Sequence, residues 1–243
     1  MTEAAGERLN RFLARAGVAS RRTADDLIAR GEVFVNGKRA PANGCLIDPE
    51  RDVVTISGRE IEPPGTHDYL LLNKPPGVLV TSSDPRGRTT YLELLPSGRR
   101  LFSAGRLDMD TRGLLLVTDD GDLADRLAHP RRKVAKEYIA EVEGVPSESA
   151  LRRLREGVEL EDGRALPAEA ELIEARGRRA HIRIVLREGR NRQVRRMLEA
   201  VGHPVHDLRR TGFGPLRLGR LKEGDWRRLR PEEVAALRKA AGL

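Results

Sequence analysis

Residues 105–121 read GRLDMDTRGLLLVTDDG, and the role of the acidic turn ahead of the aliphatic block decides how the chain is read. The four consecutive aliphatics at 114–117 ask for burial on both faces, as in an interior strand of a sheet. From Asp108, the run DMDTRG partly matches a calcium loop of the D-x-[DN]-x-[DN]-G type, with Asp119 at position twelve. The chemistry does not follow the pattern. Arg112 places a cation at the fifth ligand position, Leu116 offers no ligand at the ninth, and the twelfth lacks the bidentate glutamate. The flanks also read as strands, whereas the calcium motif needs helices. What remains is a strand over LFSA, a polar turn, a buried strand and a second turn at DDG. A turn needs neither Arg106 nor Leu107. A strand end feeding a glycine-bounded turn is, however, a good place to hold a reactive carboxylate.

Outward from this stretch, the elements interleave. YLLLNKPPGVLV reads as strand, Pro-Pro-Gly turn and strand; GDLADRLAH reads as a helix. KEYIAEVEG is a strand, SESALRRLREG a serine-capped helix, RRAHIRIVL an alternating half-buried strand. RNRQVRRMLEAVG is an amphipathic helix with Val194, Met197, Leu198 and Val201 on one face. Toward the N-terminus, Leu9, Phe12, Leu13 and Ala16 recur at helical spacing, Ser20 caps a second helix, and VFVNGKR is a hairpin with an Asn-Gly turn. These observations predict an α+β, mixed α/β chain in two domains. Residues 1–60 form a small unit of two helices plus a hairpin. Residues 67–243 form a larger domain, and the Gly/Pro-rich SGREIEPPGT, about 57–66, is the linker.

Composition limits the partners. Among 243 residues, 45 Lys+Arg against 37 Asp+Glu leave +8, a surplus that favours a polyanionic partner such as nucleic acid. Cys45 is the only cysteine, so neither an intrachain disulfide nor a cysteine zinc site can form. His203 and His206, split by Pro204 and lacking a third ligand, make a poor zinc site. MTEAAGERLN has no apolar signal-peptide core, and no apolar run approaches the roughly 20 residues of a membrane span, so the expected location is cytoplasmic.

GRLDMDTRGLLLVTDDG resembles the catalytic motif of pseudouridine synthases of the RsuA/RluB family, which modify ribosomal RNA. LLLNKPPGVLVTSSDPRGR, KEYIAEVEG and REGRNRQVRRMLEAVGHPV resemble further motifs of that family, in the family's order. ERLNRFLARAGVASRRTADDLIARGEVFVNGK resembles an S4 RNA-binding domain. Departures are small: Asp119 stands where the family often has asparagine, and Val117 replaces a usual leucine. The resemblance implies a mixed, mainly antiparallel sheet in the larger domain. It also implies isomerisation of a uridine to pseudouridine without cofactor or metal.

Residue by residue, it implies that Asp108 is the catalytic aspartate. Its carboxylate can attack C1′ of the ribose, balance positive charge there, take a proton from C2′, or attack the base. Arg190 matches the basic residue that pairs with that aspartate, and Arg106 the arginine that fills the gap left by the flipped nucleotide. Tyr138 matches the tyrosine that stacks on the target base, and Leu186 the apolar residue on the pocket's other side. Phosphate contacts are expected from two basic clusters, Arg131, Arg132, Lys133 and Lys136, and Arg192, Arg195 and Arg196. In the small domain they are expected from Arg8, Arg11, Arg21, Arg22 and Lys38. The NKPPGV…SSDPRGR details lie nearer the RluB branch, so the implied substrate is large-subunit (23S) ribosomal RNA or a pre-ribosomal particle, and the implied state is a monomer. The rival classes are a non-catalytic S4-type RNA-binding or assembly protein, and a synthase acting on small-subunit or another RNA. A pure binder would have no need of Asp108, Arg190 and Tyr138 together.

Overall fold

Hydrophobic spacing in the first 60 residues builds a separate core. The computed structural model describes residues 6–96 and 98–243, and the chain divides after Asp68 into two compact units. The signal-peptide reading rests partly on residues 1–5, which lie outside the described residues. In the first unit, helix Leu9–Arg15 buries Leu9, Phe12 and Leu13 against helix Arg21–Ala29, which contributes Ala24 and Ile28. Ser20 caps the second helix, its Oγ accepting from the Thr23 N–H at 3.0 Å, a bond of the kind worth about 1 kcal/mol. Asn36 and Gly37 take φ of 51° and 74°, the left-handed pair that a two-residue hairpin turn requires between Val33–Val35 and Lys38–Arg39. The expected linker is partly structured. Ser57 and Gly58 repeat the same turn geometry, Arg59–Glu60 pairs with Val54–Ile56, and Ile61 packs on the core. The Ser-Gly pair here closes a second hairpin, so the polar connection begins only after Ile61.

The second unit is one nine-stranded sheet, mixed and mainly antiparallel. Its main path runs Glu169–Arg176, Arg179–Leu186, Lys136–Glu143, Val205–Phe213, Arg112–Thr118, Tyr69–Lys74 and Trp226–Arg228. The single parallel pairing along this path joins Val205–Phe213 to Arg112–Thr118. Strand period two explains the aliphatic block. Leu115 and Val117 face one core with Leu70 and Leu72, while Leu114 and Leu116 face the other with Leu71. Helices Glu148–Glu156 and Gln193–Ala200 cover the first face through Leu151, Leu154, Val194, Met197 and Leu198. Helices Gly121–Ala128 and Pro231–Ala241 cover the second through Leu123, Leu127, Leu237 and Ala241.

Several elements differ from expectation. The strand expected over GVLV is reduced to one bridge, Leu79 to Thr90. Helix Pro231–Ala241 and strands Val205–Phe213 and Trp226–Arg228 were not expected, nor was strand Glu169–Arg176. This last strand is an edge, with one neighbour and a mostly exposed face, so its Glu-rich run carries no buried alternation.

Candidate active site

The turn before the Arg112–Thr118 strand is held from below. Gly113 has φ +108°, and a Cβ there would lie 2.2 Å from the Arg210 carbonyl oxygen. Only glycine therefore lets the two parallel strands meet where Arg210 pairs with Gly113. Lys74, fully buried at the end of its strand, donates from Nζ to the carbonyls of Pro75 and Val78 at 2.8 Å and Met109 at 3.2 Å. Gly77 N–H also donates to the Met109 carbonyl, at 2.8 Å. Burial lowers the Lys74 pKa to about 8, opposed in part by the charges of Asp110, Asp108 and Glu223. The Thr111 N–H closes the turn on the Asp108 carbonyl at 3.1 Å.

The acidic residues of the opening stretch then separate by role. Asp110 accepts two bonds of 3.1 Å from the Arg192 guanidinium and pairs with Arg195 at 3.3 Å. Burial works against its ionisation, but the hydrogen bonds from Arg192 and the charges of Arg195 and Arg192 outweigh it and hold its carboxyl below the usual range. Arg112 binds Asp207 at 2.6 Å and Glu223 at 3.3 Å. Asp119 pairs with Arg99 at 3.1 Å. Asp120 caps helix Gly121–Ala128, accepting from the Leu123 N–H at 3.0 Å and from the Tyr69 hydroxyl at 2.8 Å. Three of the four carboxylates thus serve structure. Asp108 differs, since among the described residues its half-buried carboxylate makes no hydrogen bond and no ion pair.

Asp108 lines a cavity of about 370 Å³, a size within the range of roughly 300 to 1,000 Å³ usual for small-ligand sites. Tyr138, 9% exposed, and Leu186 line it from neighbouring strands, and Arg106 is an exposed residue of the same lining. The Tyr138 hydroxyl has no hydrogen-bond partner among the described residues, so the ring is held by packing alone. Arg190 lines the cavity but does not pair with Asp108 as expected. Its guanidinium donates to the carbonyls of Gly163 and Arg164 at 2.8 Å and sits 3.4 Å from Glu188 and 3.5 Å from Asp162. The 162–164 loop offers several acceptors together, and a guanidinium with five donors is better satisfied there than by one carboxylate.

Lys74 and Arg210 were not singled out from sequence. Lys74 anchors the turn next to the cavity, and Arg210, 1% exposed, lines its wall. A charged residue within RRTGFG carries no sign of burial, so no local signal marks Arg210. Lys136, expected on a phosphate-binding surface, instead lines the cavity, where burial and then the Arg210 charge lower its pKa against the opposing charge of Glu188.

The expected basic surface divides in the same way. Arg8, Arg11, Arg21, Arg22, Lys38, Arg131, Arg132 and Lys133 are exposed. Arg192, Arg195 and Arg196 are occupied by Asp110 and Asp162, with Arg196 2.8 Å from Asp162. The excess of arginine in REGRNRQVRR is balanced across space by acids distant in sequence. His203 Nδ1 lies 2.8 Å from the Glu143 carbonyl, and no group of three potential metal ligands occurs among the described residues. No helix among them is long and apolar enough to cross a membrane.

Comparison with known proteins agrees over nearly the whole chain. Residues 68–200 match the model of the RNA pseudouridylate synthase family, and residues 7–43 match the S4 domain. An Aquifex aeolicus protein named as an uncharacterised RNA pseudouridine synthase is 44% identical over 238 residues, spanning 97% of this chain and 95% of its own. A Bacillus subtilis protein named ribosomal large subunit pseudouridine synthase B is 42% identical, spanning 97% of each chain. A crystal structure of a pseudouridylate synthase superposes with a TM-score of 0.69 at 30% identity, over 95% of this chain and 99% of that one.

Proposed function

Because the chain belongs to the RNA pseudouridylate synthase family, we propose that it converts a specific uridine of large-subunit ribosomal RNA to pseudouridine, with Asp108 as the catalytic carboxylate. The observation that carries this reading is the unpartnered Asp108 carboxylate in a cavity it shares with Tyr138 and Leu186. A stacked uridine cannot reach such a site, so the nucleotide must leave the RNA stack and enter the cavity. Arg106, exposed two residues before Asp108, would occupy the gap in the RNA. Tyr138 offers a ring face against which a detached uracil can turn, and Leu186 supplies an apolar contact. Asp108 then acts on the sugar or the base while the glycosidic bond moves from N1 to C5. Arg190 orients the loop before helix Gln193–Ala200 instead of touching Asp108.

The choice of large-subunit RNA follows the relatives named as large-subunit synthases in Bacillus subtilis and, at 43% identity, Haemophilus influenzae. Exposed cations of the S4 unit and of residues 131–133 would contact phosphates. Mapping pseudouridines in ribosomal RNA from cells with and without the gene tests the proposal. Loss of a large-subunit site is expected. An unchanged map of the large-subunit RNA would overturn the substrate, and a lost small-subunit site would redirect it.

A further inference from the structure

A buried guanidinium on the cavity wall has no role in the chemistry so far. Arg210 is 1% exposed, and among the described residues it has no carboxylate partner. Its Nε donates to the Leu114 carbonyl at 2.7 Å and its Nη1 to the Arg106 carbonyl at 3.4 Å, while its guanidinium carbon lies 5.3 Å from the Phe213 ring centre. Nη2 is buried without an acceptor. A buried cation lacking both counter-ion and full hydrogen bonding is costly, so an otherwise uncompensated one beside a cavity points to a negative charge that arrives there. The sheet register adds a direction. Tyr138 is the cross-strand partner of Arg210, so both stand on the cavity face of the sheet, and the guanidinium reaches from there to the backbone of Leu114 and Arg106 beside Asp108. Lys136 lines the same cavity and bears electrostatically on Arg210, so two cations flank one space.

The reaction generates such a charge. When the N1–C1′ bond breaks, its electron pair stays on uracil and spreads over N1, O2 and O4. Asp108 meets the deficit on the sugar, by bonding to C1′ or by taking the C2′ proton. C5 then bonds to C1′ as the Asp108–C1′ bond breaks or the proton returns to C2′, the C5 proton is lost and N1 gains one, so the product is an isomer. We propose that Arg210, with Lys136 on the same cavity, supplies fixed positive charge that stabilises the negative charge of the departing uracil. The inference rests on the function proposed above. A fixed charge placed beside the site where charge develops acts in the transition state more than in the ground state.

The test compares single-turnover consumption of the N-linked nucleoside in the same RNA carrying either uridine or 5-fluorouridine at the target. Fluorine withdraws electrons and stabilises the departing base, so it should partly replace the lost positive charge. Arg210→Met is expected to lose about 100-fold on the uridine RNA, with RNA affinity changed by no more than a few-fold, and to lose markedly less on the 5-fluorouridine RNA. Arg210→Lys keeps a cation and should show the same substrate dependence with a smaller loss; it carries the test if the Met variant fails to fold. Equal losses on both RNAs, or a loss confined to affinity, would overturn the role of Arg210. A wild-type chain inactive on every ribosomal RNA tested would instead overturn the proposed function.

Discussion

Tyr138 is held by packing and lacks a partner for its hydroxyl, so its contribution should lie in its ring. Tyr138→Phe should therefore keep most of the activity, whereas Tyr138→Ala should lose a further one to three kcal/mol of base-stacking stabilisation, the range of about 1–3 kcal/mol typical for aromatic–base contacts. Single-turnover rates of the two variants check this, and equal collapse of both would assign the phenol a proton-transfer role. At this scale the sequence is informative where a motif combines unusual residue types. Asp108, which lines the cavity, was singled out through the resemblance of GRLD to a family motif, since a turn alone needs neither Arg106 nor Leu107. The partnership of Arg190 was not, because its acceptors are the 162–164 carbonyls, which no local pattern announces. Arg210 was invisible for a related reason. Its burial depends on Gly113 admitting the neighbouring strand, almost a hundred residues away in sequence.

Among the elements, helix Pro231–Ala241 shows what the reading missed and how it is fastened. Proline at its first position followed by Glu232 and Glu233 is a start signal that could have revealed it. Glu233 accepts two bonds of 2.7 Å from Arg227 on the neighbouring strand and one of 2.9 Å from the Arg230 N–H. The hydrogen bonds from Arg227 outweigh the effect of burial, and with that from the Arg230 N–H they lower the Glu233 pKa to about 2. A carboxyl depressed on folding adds stability above its unfolded pKa, and that stability disappears as pH falls through the folded value. Glu233→Gln should thus cost about 1 to 2 kcal/mol near neutral pH, limited by the partial solvation of Arg227. The difference from wild type should shrink as pH drops from the ordinary carboxylate range toward 2. Urea unfolding at neutral and acid pH measures it, and a difference constant with pH would refute the linkage. Strands with buried alternation, such as Arg179–Leu186, were legible from period alone, whereas the exposed edge Glu169–Arg176 was not.

For the whole molecule, binding and chemistry are assigned to different residues. The N-terminal unit has its own core and exposed cations, while every cavity residue lies after Asp68. A chain truncated to begin near Gly65 should bind its RNA more weakly and with a shallower salt dependence, since fewer phosphates are neutralised. At saturating RNA it should still isomerise uridine. Unchanged affinity and salt slope would show that the S4 unit does not contact this RNA. The central claim is that one carboxylate performs the chemistry while phosphate contacts across the molecule supply the affinity. Asp108→Asn preserves the side-chain shape and removes the charge, and the decisive measurement pairs its RNA affinity with its single-turnover rate on the same RNA. The account predicts affinity within a few-fold of wild type and no detectable pseudouridine; substantial turnover by this variant would contradict it.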